Sequence, residues 1–82
     1  MISTKGRYAL RVLIDLAEQD TTTYVPLKEI AKRQGISEKY LQQIVKILVG
    51  KGLLTGISGK GGGYRLTASP EEYNVGEILE LM

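Results

Sequence analysis

Cysteine and histidine are both absent from this 82-residue chain. Without thiols there is no disulfide framework and no thiolate metal site. Without imidazole the commonest general base and the commonest metal ligand are missing too. The expected cofactor and metal complement is therefore none, and a small enzyme is a remote reading. Long apolar runs are lacking as well. Nothing approaches the roughly 20 residues of a membrane span, and the first residues do not form a signal peptide's apolar stretch. The expectation is a cytoplasmic protein without a membrane partner. At this length one domain is expected, and folding buries roughly 60% of the unfolded chain's surface, enough for a modest core.

Acidic residues are scarce where basic ones are plentiful. Residues 1–65 carry eleven basic and five acidic side chains, a balance of +6. Residues 66–82 carry Glu71, Glu72, Glu77 and Glu80 and no base, a balance of −4. A basic body with an acidic tail suits a polyanion on one face.

Hydrophobic periodicity supplies three helices. Ser3 or Thr4 can cap the first, which runs to about Gln19. Its apolar residues, Tyr8, Ala9, Leu10, Val12, Leu13, Ile14, Leu16 and Ala17, cover well over half of its circumference. Arg7, Arg11, Asp15 and Glu18 form its polar stripe. Asp20-Thr21-Thr22-Thr23 reads as a polar loop and Tyr24-Val25-Pro26 as an extended piece. The second helix spans about Leu27 to Gln34, packs Leu27, Ile30 and Ala31 inward, and ends at Gly35. Ser37 can cap the third, residues 38–49, which buries Leu41, Ile44, Val45 and Leu48. A short helix, a glycine-containing turn and a second helix make the helix-turn-helix pattern.

Leu53 to Ser58 then reads as a strand and Tyr64 to Thr67 as its returning partner, with glycines between them. Ser69-Pro70-Glu71-Glu72 reads as a helical turn. Asn74 can cap a last helix burying Val75, Ile78, Leu79 and Met82. The fold class predicted is mainly α with a small β-hairpin wing, a winged helix-turn-helix.

DNA needs these residue types at these places. An α-helix fits the major groove, and its early residues meet base edges. Ser37 stands at the cap of the third helix, and Glu38, Lys39, Tyr40, Gln42, Gln43 and Lys46 lie along it. Gln pairs bidentately with adenine and Lys donates to guanine acceptors. Ser37 and Tyr40 can donate to phosphate through their hydroxyls. The wing is residues 58–65. Its glycines Gly61, Gly62 and Gly63 would let the backbone lie against the sugar–phosphate wall. Lys60 and Arg65 would supply charge there, with Ser58 at the wing's base.

The competing motifs fail. Walker A requires glycine where Leu54 stands and Ser or Thr where Gly61 stands, and the Rossmann pattern requires glycine at Tyr64. Glu71 and Glu72 are adjacent and point apart on a helix. Tyr8, Tyr64 and Tyr73 are read as core or rim packing. The rival from another class is a protein–protein module docking through the apolar face of the first helix.

The combined blocks resemble the Rrf-type winged helix-turn-helix transcription regulators of bacteria, the IscR-, CymR- and NsrR-like proteins. The matching stretches are Ser3-Thr4-Lys5-Gly6-Arg7-Tyr8-Ala9, Pro26-Leu27-Lys28-Glu29-Ile30-Ala31 and Ile36-Ser37-x-x-Tyr40-Leu41-x-Gln43. They continue with Gly52-Leu53-Leu54, Gly59-x-Gly61-Gly62-Gly63-Tyr64-x-Leu66 and Val75-Gly76-Glu77-Ile78. The resemblance implies a homodimer on double-stranded DNA that binds a near-palindromic operator and usually represses. It also implies that Lys28 lies near the DNA backbone. Many members carry Arg where this chain has Ser58, and Lys60 can supply that charge. The family's long dimerisation helix and, in some members, its three iron–sulfur cysteines have no counterpart here. Residues 1–82 are expected to be the DNA-binding domain, either of a shortened protein or as a fragment.

Overall fold

The computed structural model describes residues 3–74 and residue 76. The expected last helix, with Val75, Ile78, Leu79 and Met82, lies outside the described residues.

The element order is α1 (Thr4–Glu18), α2 (Leu27–Gln34), α3 (Glu38–Gly50), β1 (Leu54–Ile57), β2 (Gly63–Leu66) and a 3-10 turn over Pro70–Glu72. Ser3, not Thr4, caps α1: its hydroxyl accepts from the Gly6 N–H at 3.0 Å. Pro26 opens α2 and offers no side-chain cap. Gly35 closes α2 at φ 66°, a left-handed conformation that residues with a Cβ rarely adopt, and so turns the chain into α3. The Ser37 hydroxyl accepts from the Tyr40 N–H at 3.0 Å and starts α3.

One core unites the three helices and the hairpin. Val12, Ile30, Leu41, Ile44 and Leu48 are fully buried, joined by Ala9, Leu13, Leu16, Val25, Ala31, Val45, Leu54 and Leu66. The apolar side chains of α1 divide between two environments. Those on one side enter this core. Leu10, Ile14 and Ala17 instead border an apolar groove with Leu13, Leu66, Pro70 and Tyr73, and Ile14 is 49% exposed.

The polar stripe on α1 has a buried member. Asp15 is buried, because Arg33 at the end of α2 reaches it with Nη2 at 2.6 Å. Gln34 Nε2 donates to the same carboxylate at 2.8 Å, and Arg11 Nε donates to Gln34 Oε1 at 3.0 Å. Arg33 Nη1 also pairs with Glu29 at 2.7 Å. Burial alone would raise the Asp15 pKa. The hydrogen bonds from Arg33 and Gln34 and the guanidinium charge outweigh it and hold the carboxyl below its ordinary value.

The strands are antiparallel, with Leu54 opposite Leu66, Thr55 opposite Arg65, Gly56 opposite Tyr64 and Ile57 opposite Gly63. The first is shorter than the sequence suggests, and the second, of the expected length, is displaced one residue earlier, to begin at Gly63. That start follows from the pairing of Gly63 with Ile57, and the other edge of β2 is paired as well. There Val25 and Tyr64 exchange both backbone hydrogen bonds at 2.9 Å, so the extended piece before α2 becomes a one-residue third strand. After the hairpin, the Tyr73 hydroxyl donates to the Leu53 carbonyl at 2.6 Å and accepts from the Thr67 N–H at 3.0 Å. That closes the sheet end against the 3-10 turn.

Candidate nucleic-acid interface

The buried stripe of α3 decides which side chains it offers to solvent. Leu41, Ile44, Val45 and Leu48 face inward. At about 100° per residue, Lys39, Gln43 and Lys46 then fall diametrically opposite. All three are exposed, as are Ser37, Glu38 and Gln42. Glu38 sits in the first turn, where its carboxylate complements the positive helix end and can accept from a cytosine amino group.

The two flanks of α3 meet different neighbours. On the hairpin side, Gln42, Lys46 and Val49 form one wall of a groove of about 560 Å³, and Gly56, Ile57, Ser58 and Tyr64 form the other. On the opposite side, Tyr40 packs edge-on against Tyr8 of α1, with ring centroids 5.8 Å apart and planes at 87°. The Arg11 guanidinium lies over the Tyr8 ring at 4.9 Å. Tyr40 is thereby half-buried and oriented by α1. This aromatic contact joins residues 32 positions apart, and no local pattern signals it.

The hairpin tip is a tight turn closed by the Gly62 N–H donating to the Gly59 carbonyl at 3.0 Å. Lys60 and Gly61 stand at its apex, both exposed. From the sequence all three central glycines share one expected purpose, close approach to DNA. The structure gives two of them another. A Cβ at Gly62 would lie 2.5 Å from the Ile57 carbonyl oxygen. One at Gly63, where φ is 151°, would collide with the Val25 carbonyl. Both positions are glycine because backbone already fills the space where a side chain would go, and Gly63 is itself buried.

Arg65 also departs from the expected arrangement. Side chains alternate along β2. Tyr64 faces the α3 groove, so Arg65 points to the other face of the sheet. There it lies over the Tyr24 ring at 4.6 Å, and its Nη1 donates to the Thr22 carbonyl at 3.2 Å. The structure therefore gathers Gln42, Lys46 and Ser58 around one groove, with Lys39 and Gln43 beside it and Lys60 and Gly61 at the hairpin apex. It leaves Arg65, Gly62 and Gly63 in other surroundings. Lys28 is exposed in the first turn of α2. Sequence reasoning missed the apolar rim of the groove, where Val49 is 39% and Ile57 47% exposed.

Among the described residues no group of three or more His, Cys, Asp or Glu could hold a metal ion. No described helix is long and apolar enough to cross a membrane.

Comparison with known proteins bears on this surface. The Rrf2 family model, described as an iron-dependent transcriptional regulator, matches residues 2–82. The transcriptional regulator IscR of Aliivibrio salmonicida is 42% identical over 78 residues, which are 95% of this chain and 46% of that protein. The rrf2 protein of Nitratidesulfovibrio vulgaris is 38% identical over 78 residues, covering 95% of this chain and 52% of that protein. Among solved structures, the global cysteine regulator CymR of B. subtilis superposes with a TM-score of 0.91 at 41% identity, over 99% of this chain and 63% of that one. IscR of T. potens superposes at 0.89 with 40% identity, over 100% of this chain and 60% of that one. The chain thus spans about half the length of the curated relatives it matches.

Proposed function

Because this chain belongs to the Rrf2 family of transcriptional regulators, we propose that it is the DNA-binding domain of such a regulator and reads an operator half-site through α3. The observation that carries this is the exposed row Lys39, Gln43 and Lys46, opposite the buried stripe and beside the α3–hairpin groove. In this reading the row meets base edges in the major groove. Gln42 and Ser58 line the neighbouring groove, whose apolar rim at Val49 and Ile57 suits thymine methyls and sugar faces. Ser37, Tyr40 and Lys28 contact phosphates, and Lys60 with Gly61 meets the flanking backbone or minor groove.

The finer elements of the proposal are a homodimer on a near-palindromic site, repression as the usual outcome, and a cytoplasmic location. The apolar groove around Ile14 is the surface available to a second subunit. The iron named in the family description finds no fit in these 82 residues, which include neither cysteine nor histidine.

Selection of bound duplexes from a random pool tests the reading. Two half-sites about 34–36 Å apart, or a multiple of that, are expected from a dimer. On the selected duplex, Gln43→Ala should reduce discrimination at one base pair by about 1–3 kcal/mol. Lys60→Ala should weaken all sequences alike and flatten the logarithmic salt dependence by about one. A pool that yields no motif, with binding indifferent to salt, would overturn the reading.

A further inference from the structure

We infer that Arg65 is a positioning residue that sets the wing against the helix-turn-helix body, and is not itself a phosphate contact. The inference rests on the DNA-binding reading for its consequence, though not for its geometry.

Val25 pairs with Tyr64 in antiparallel fashion, so Tyr24 stands directly across from Arg65. On the other edge of β2, Thr55 stands across from Arg65. Arg65 is therefore the centre of a rung that crosses all three strands on the sheet face away from α3. Across such a rung, directly opposed side chains interact. Here the guanidinium lies 4.6 Å from the Tyr24 ring centroid, within cation–π range.

The acceptor for the guanidinium is built as well. The Asp20 carboxylate accepts from the Thr22 N–H at 2.9 Å and from the Thr22 hydroxyl at 2.6 Å. The Thr23 N–H and hydroxyl return to the Asp20 carbonyl at 3.2 and 3.1 Å. This loop holds the Thr22 carbonyl where Arg65 Nη1 meets it at 3.2 Å. A guanidinium committed to a ring face and a carbonyl, and half-buried between them, is poorly placed to reach out to a phosphate. It is well placed to fix the hairpin's angle, because the segment it grips runs straight through Val25 into α2.

Arginine supplies two things that lysine does not: a flat cation that stacks, and several directed N–H groups. That difference separates the two roles. Arg65→Lys keeps the charge and loses the stack, whereas Tyr24→Leu keeps Arg65 and loses the ring. Tyr24→Phe keeps the ring.

Two measurements on the 82-residue chain test the inference. The first, without DNA, is amide exchange at the Val25 and Tyr64 N–H groups, which report attachment of the hairpin. Arg65→Lys and Tyr24→Leu should each accelerate it about tenfold, as expected for losing a stacked cation and its hydrogen bond, and leave the α1–α3 amides unchanged. Tyr24→Phe should restore wild-type exchange. The second is affinity for the selected duplex across a salt series. Both variants should bind about fivefold to tenfold more weakly. Their salt slope should stay at the wild-type value, and the double variant should be no worse than either single one. The inference is overturned if Arg65→Lys exchanges and binds as the wild type does. It is equally overturned if Arg65→Ala leaves exchange untouched and lowers the salt slope by about one, the mark of a lost phosphate contact. If the wild-type chain binds no duplex, the DNA reading falls and the exchange measurement still decides the role of Arg65.

Discussion

Helix α3 turns four large side chains, Leu41, Ile44, Val45 and Leu48, to 0–2% exposure. In the hairpin beside it only Leu54, Gly63 and Leu66 leave solvent. Both regions reach the same groove, by different physics. The helix is oriented by non-directional apolar burial on one side, which fixes the opposite side as a consequence. The wing has little apolar area to bury. It is placed by directed contacts: a two-way backbone pairing at Val25, a glycine at Gly63 that allows the approach, and the Arg65–Tyr24 stack. A surface of this kind should keep its helix face under stress that releases its wing.

The largest expected effect attacks the helical side of that contrast. Ile44 is fully buried, and Ile44→Ala should destabilise the chain by about 2–5 kcal/mol through lost burial and a residual cavity. Ile57 is 47% exposed on the wing, and Ile57→Ala should stay within about 0.5 kcal/mol. Urea denaturation of both variants checks the pair. Equal losses would show that the wing carries as much of the fold as the core does.

Gly63→Ala attacks the wing. The added Cβ would collide with the Val25 carbonyl, and neither partner is a flexible side-chain end. Overpacking of this kind is worth about 1–3 kcal/mol, with the strain of φ 151° in addition. The hairpin should part from Val25 while α1–α3 remain folded. Amide exchange should then rise at Tyr64 and Val25 and not at Ile44 or Leu48. Uniform acceleration across all four amides would dissolve the distinction between the two regions.

These cases also show what a one-dimensional pattern carries. The stripe of α3, the Ser37 cap and the Gly35 turn are legible because each is encoded within one or two helical turns. The exposed row of α3 follows from that stripe, so the candidate site is legible on the helix. The wing is less so. Alternation predicts which side chains share a face of the hairpin, but the second pairing partner of β2 is Val25, almost forty residues earlier. Gly62 and Gly63 look identical to Gly61 in sequence, although the first two are enclosed by backbone. Arg65 reads as a free cation until Tyr24 is placed opposite it. Asp15 reads as one more residue of a polar stripe, because its partner Arg33 is 18 residues away on another helix.

That last pair joins α1 to the end of α2 and sharpens the comparison through pH. The Asp15 carboxyl is depressed below its ordinary value in the folded chain. Its stabilising contribution is therefore fully present above about pH 4, the unfolded carboxylate range, and is lost as pH falls through the folded value. The Asp15 side chain is 5% exposed and that of Arg33 29%. Asp15→Asn should therefore destabilise by about 1–2 kcal/mol, between the values for exposed and buried pairs. Measured from pH 8 downward, the gap between variant and wild type should be flat to about pH 5 and close below pH 4. A gap that persists at pH 2 would mean that the shape of the side chain, not its charge, is what matters.

The smallest expected effect separates folding from recognition at one residue. Ser37 is exposed, and its hydroxyl accepts from the Tyr40 N–H at 3.0 Å. Ser37→Ala removes that cap and should destabilise by about 1 kcal/mol. Ser37→Asp retains a capping oxygen and adds a negative charge at the positive end of α3, so stability should hold or rise slightly. The same charge sits where a phosphate is proposed to approach, so duplex affinity should fall. Alanine should therefore impair folding more than aspartate does, and aspartate should impair DNA binding more than alanine does. If aspartate leaves binding intact at low salt, where repulsion is least screened, the first turn of α3 does not approach the backbone and the helix must dock by a different edge.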